Sequence, residues 1–232
     1  MNLTEHDLCT AIEHTILKPE ATEDQVLALC DEAIEFQLGG VCVNPCFVGL
    51  AVNRLADSDV RVVTVAGFPL GANESAVKAE EARRAVDAGA DEVDMVARIG
   101  SLAAGDRDTV RDDIAQVAGA VHGGGTGALL KVIIESAALD EQGIVLACRC
   151  CAEGEADFVK TSTGMHAAGG ASVETVRFIR RHASPLRIKA AGGIRTSDQA
   201  AAMMEAGADR IGTSCGPVIV RQWRESATAK SG

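Results

Sequence analysis

The chain has 232 residues, 47% hydrophobic and 24% charged, enough apolar material for one sizeable core but too short for two ordinary domains. A formal net charge of −11 argues against a nucleic-acid or anionic-membrane surface, and no apolar run nears the roughly 20 residues of a membrane span. The polar, acidic start MNLTEHDLCTAIEH lacks the basic flank and apolar core of a secretion signal, so a cytoplasmic protein with its eight cysteines reduced is expected.

In chain order, a short leading helix is expected near residues 4–11. Short β-branched, apolar strands then follow at 14–17, 40–43, 62–66, 92–96, 129–134, 158–161, 187–190 and 210–212. Segments with helical spacing separate them, at 23–36, 45–55, 74–88, 109–121, 140–153, 172–182, 197–206 and 216–226. This alternation marks parallel βα units. The segments DAGADEVDMV (87–96), AEGEADFVKT (152–161) and EAGADRIGTS (205–214) repeat one module, each closing a helix with glycine and entering a strand through Ala-Asp. The expected fold is α/β: a single (β/α)8 TIM barrel over 1–232 with an extra N-terminal helix. An open doubly wound sheet is the alternative.

Only six of the 22 Lys and Arg residues are lysines, yet three of those lie in strand candidates: Lys131, Lys160 and Lys189. Lysine is seldom buried without a partner or a task, although any one of the three would also fit a strand edge from which its ammonium reaches water. Lys160 and Lys189 precede small-residue turns on consecutive strands, at the end of the barrel where active sites are built. Two neighbouring ammonium groups and desolvation together lower a lysine pKa and free an amine that attacks carbonyls. Asp94 supplies a carboxylate on the same rim.

The segments AGGIRTS (191–197) and RIGTSCG (210–216) end the last two strands, and STGMHAAGG (162–170) follows Lys160. Their glycines let backbone N–H groups approach an anion at helix N-termini, and in barrels this corner commonly holds phosphate. An ordinary tight turn would use the same residues. The five histidines show no zinc-site spacing, and Cys148, Cys150 and Cys151 fall in a helical stretch without a second cluster, so no metal site is expected. Cys42 reads as a packing residue able to face the site, and Lys131 and Thr163 as further lining residues.

The segments EHTILKPEAT (13–22), VCVNPCFV (41–48), VAGFPLGAN (65–73), DEVDMV (91–96), LKVIIE (130–135), DFVKTSTG (157–164) and KAAGGIRT (189–196) closely resemble, in order and through nearly the whole chain, the deoxyribose-phosphate aldolases. The resemblance implies reversible cleavage of 2-deoxy-D-ribose 5-phosphate to acetaldehyde and D-glyceraldehyde 3-phosphate, without cofactor or metal. Lys160 matches the Schiff-base lysine, Lys189 the second lysine and Asp94 the proton-relay carboxylate. Gly164, Gly192, Gly193, Gly212 and Ser214 fall where family members bind phosphate. The implied partners are small sugar phosphates and aldehydes, and a homo-oligomer, dimer or tetramer, is expected. Glu13, Ala97, Arg98, Met165 and Cys215 depart from the usual pattern. A Schiff-base barrel lyase for another sugar phosphate would keep the same lysine. A non-catalytic binder of phosphorylated metabolites would not need Lys160, Lys189 and Asp94 together.

Overall fold

The computed structural model describes residues 3–230. Helix α1 (Glu5–Ala11) opens on a capping box, in which Thr4 accepts from the Asp7 N–H while Asp7 accepts from the Thr4 N–H. Eight parallel strands follow: β1 (Ile12–Ile16), β2 (Gly40–Val43), β3 (Arg61–Ala66), β4 (Glu92–Val96), β5 (Leu129–Ile133), β6 (Phe158–Lys160), β7 (Arg187–Ala191) and β8 (Arg210–Thr213). They pair in sequence order, and β8 pairs back onto β1 through Ile12 and Ile211. That closure excludes the open sheet and establishes the (β/α)8 barrel.

The outer ring consists of α2 (Glu23–Glu35), α3 (Val48–Leu55), α4 (Ser75–Asp87), α5 (Ile99–Ala103), α6 (Arg107–His122), α7 (Glu141–Glu153), α8 (Val173–His182), α9 (Ser197–Glu205) and α10 (Gly216–Lys230). Most element ends shift by a residue or two from expectation, and three differences are larger in consequence. Strand β1 begins two residues earlier, which brings Glu13 into the sheet. The segment expected to be one helix over 45–55 starts as a 3-10 turn (Pro45–Phe47), since Phe47 leaves helical backbone angles before α3 begins. Helix α5 was not expected, its five residues being too few to show a period.

Strand periodicity sorts the core into two regions. Outward residues such as Val93, Met95, Leu130, Val132 and Ile188 pack under the helices. Inside the barrel, one small apolar cluster forms around Leu17, Cys42, Val63 and Val65, and beside it lie the buried charges Glu13, Glu92, Asp94, Lys131, Lys160 and Lys189, with Lys131 over the Phe158 ring. A separate buried ion pair ties the outer layer together: Lys78 Nζ on α4 donates to Asp113 on α6 at 2.5 Å and to the Val96 carbonyl at 3.1 Å. Lys78 and Asp113 side chains are both fully buried.

Candidate active site

Glu92 and Asp94 are two residues apart on β4 and share its inward face. The β4–β5 register sets Asp94 beside Lys131, and the β6–β7 register sets Lys160 beside Lys189. The four side chains meet around one carboxylate. Asp94 Oδ1 accepts from Lys131 Nζ at 2.9 Å, while Oδ2 accepts from both Lys160 Nζ at 2.8 Å and Lys189 Nζ at 2.6 Å. Lys160, Lys189 and Asp94 thus form a single connected group. Gly212 leaves room for it, since a Cβ there would lie 3.1 Å from Lys189 Cε.

The three lysines are all buried and differ in their neighbours. Among the described residues, Lys131 is ion-paired with Glu13, Glu92 and Asp94; Lys189 with Glu13 and Asp94; Lys160 with Asp94 alone. Burial disfavours every ammonium. At Lys131 and Lys189 it is outweighed by Asp94 and Glu13, so both pKa values rise. At Lys160 burial prevails over Asp94, the charge of Lys189 adds to the effect, and the pKa falls. At Asp94 burial works against ionisation, but Lys131, Lys160 and Lys189 together outweigh it and hold the carboxyl well below the usual range. Lys160, at the end of β6, is therefore the one of the three whose ammonium form is disfavoured.

Above this group opens a cavity of about 680 Å³. It is lined by Lys160, Thr163, Gly164, Gly192, Gly193, Gly212 and Ser214, with Lys18 and Arg195 as further cations. Of the three lysines, only Lys160 reaches it. Lys131, expected as a lining residue, is instead fully buried beneath the cavity, where it is closed over by its ion pairs. Cys42 is also fully buried inside the barrel, and burial pushes its thiol up to about 11. Met165 lines the cavity and is 48% exposed. Arg98 is turned away, toward Ser75 and Asp113, and the Cys215 N–H donates to Thr213 Oγ1. Among the described residues no group of three or more His, Cys, Asp or Glu could hold a metal ion, and no helix is long and apolar enough to cross a membrane.

Sequence reasoning passed over Glu13 and Glu92. Alternation on EVDMV would have revealed Glu92, because an inward Asp94 carries residue 92 inward with it. Glu13 lay just outside the expected first strand.

A family model described as DeoC/LacD family aldolase matches residues 5–221. The chain belongs to this family. A deoxyribose-phosphate aldolase of Thermococcus gammatolerans is 51% identical over 223 residues, covering 95% of this chain and 98% of the relative. One from Enterococcus faecalis is 51% identical over 215 residues, covering 92% and 96%. The solved deoxyribose phosphate aldolase from Aeropyrum pernix, described as a unique tetrameric structure, superposes with a TM-score of 0.88 at 31% identity, covering 96% of this chain and 93% of its own.

Proposed function

We propose that this chain is a deoxyribose-phosphate aldolase, a lyase that reversibly cleaves 2-deoxy-D-ribose 5-phosphate through a Schiff base on Lys160. The observation that carries the reading is Asp94 Oδ2 bridging Lys160 and Lys189 at the floor of a cavity walled by glycine loops. Neutral Lys160 attacks the aldehyde carbon of the open-chain sugar, and loss of water leaves an iminium. The iminium withdraws electrons while the hydroxyl on the third carbon gives up its proton. The bond between the second and third carbons breaks, and glyceraldehyde 3-phosphate leaves. The remaining enamine is protonated at its terminal carbon, and water then releases acetaldehyde and restores the lysine. Asp94 passes protons between Lys160 and Lys189, being hydrogen-bonded to both.

The phosphate lies on the loops carrying Gly164, Gly192, Gly193, Gly212 and Ser214, where backbone N–H groups and the adjacent Lys18 and Arg195 favour an anion. No cofactor or metal enters this scheme. We place the activity in one barrel domain of a cytoplasmic homo-oligomer, a dimer or tetramer, that serves deoxyribose phosphate catabolism. The tetrameric description of the Aeropyrum pernix relative supports oligomerisation.

A panel of sugar phosphates tests the substrate. Deoxyribose 5-phosphate should give the highest kcat/KM of the panel. Preference for another sugar phosphate would favour a different Schiff-base lyase, and binding without turnover would favour a metabolite binder.

A further inference from the structure

Among the described residues, three other than glycine adopt left-handed backbone: Gln37, Glu135 and Glu155, at φ of 52°, 49° and 61°. Gln37 and Glu155 are exposed and follow the ends of α2 and α7, where a left-handed cap is routine. Glu135 is different. It follows β5, caps no helix C-terminus and is 2% exposed. Its carboxylate has no ion-pair partner among the described residues; it accepts instead from the Thr163 N–H at 3.2 and 3.3 Å and from the Thr163 hydroxyl at 2.6 Å. A strained backbone and a buried carboxyl group without a cation both oppose folding, and the combination sits beside the cavity.

The bonds around it run outward in one direction. Thr163 Oγ1 in turn accepts from the Met165 N–H at 3.0 Å, which closes a tight turn around Gly164 at φ 78°. A Cβ on Gly164 would lie 3.6 Å from Gly192 Cα, so this turn rests on the loop after β7. Below, the Ser136 N–H donates to the Thr161 carbonyl at 2.8 Å and continues the ladder past Lys160. The side chain of Glu135 therefore fixes a segment that starts at the nucleophile and ends at the glycine loops.

We propose that Glu135 is a positioning residue for the anionic end of the site, its carboxylate clamping Thr163 so that Gly164 and the Met165 turn are held against Gly192 in the phosphate-receiving arrangement. The proposal rests on the aldolase reading above and assigns Glu135 to substrate phosphate affinity, with no part in bond cleavage. Carboxylate and amide side chains of equal length both offer Thr163 an acceptor, so Glu135→Gln keeps most of the clamp and Glu135→Ala removes it.

The test combines three readouts on both variants. Glu135→Ala should raise KM for deoxyribose 5-phosphate roughly tenfold or more and weaken inorganic phosphate binding in calorimetry in proportion. The rate at which borohydride traps acetaldehyde, which carries no phosphate, should stay within about twofold, a difference too small to reflect a lost hydrogen bond. Glu135→Gln should recover most of the lost affinity. Equal loss in acetaldehyde trapping, unchanged phosphate affinity in Glu135→Ala, or Gln and Ala variants equally impaired would each overturn the proposal. Should Glu135→Ala fail to fold, Thr163→Val removes the hydroxyl from the other side of the clamp: weakened phosphate binding sustains the proposal and wild-type binding overturns it. Failure of the wild-type enzyme to turn over deoxyribose 5-phosphate would sink the aldolase reading instead, because calorimetric phosphate binding is read without turnover.

Discussion

At the residue scale, the proposed choice of Lys160 as nucleophile rests on what surrounds each ammonium. An ordinary lysine titrates near 10.4, so only about one in a few thousand is neutral at pH 7, and each unit of depression raises that fraction about tenfold. Lys160 gains this depression first from burial and then from Lys189, against the pull of Asp94. Replacing Lys189 by Met deletes the neighbouring charge and leaves Asp94 to Lys160 and Lys131. The pKa of Lys160 should rise, so the pH dependence of Schiff-base formation, which needs the neutral amine, should move to higher pH. Lys189→Arg should restore part of the depression and still slow turnover, because a guanidinium does not release its proton. A pH profile for Lys189→Met that coincides with the wild type would mean that burial alone activates Lys160.

At the scale of elements, the loops after β6, β7 and β8 are assigned the phosphate, and Ser214 offers a clean probe because it is exposed in the cavity. Ser214→Asp places a carboxylate beside the bound phosphate. KM for deoxyribose 5-phosphate should rise at least about tenfold, and KM for unphosphorylated deoxyribose should change far less; equal loss for both would put the phosphate elsewhere. These loops were legible in the sequence as glycine-bearing turns at strand ends. Other features were not. Lys78 sits in a helix whose sequence, SAVKAEEARRAVD, resembles a solvated face, and its burial follows only when Val96 and Asp113 close over it. Nothing in IIESAAL marks Glu135 as left-handed, since that conformation is imposed by the strand pairing on either side and by Thr163.

At the scale of the whole molecule, barrel closure is what makes the buried charges affordable. Eight strands with alternating faces turn one side chain in two toward a common axis, so carboxylates from β1 and β4 reach lysines from β5, β6 and β7 without any backbone departing from the sheet. The strand count and the alternation with helices were readable from period, whereas the closed order had an open sheet as its alternative and α5 went unseen. The interior pairing was not, because register relates residues as distant as Glu13 and Lys189, and a two-residue error at the start of β1 was enough to hide one partner. The account as a whole stands on Lys160 being the residue that becomes covalently bonded to substrate. Borohydride reduction in the presence of acetaldehyde, followed by peptide mapping, measures this directly. The predicted result is one reduced adduct on Lys160, lost in Lys160→Ala; an adduct concentrated on Lys189 or Lys131, or none at all, would contradict it.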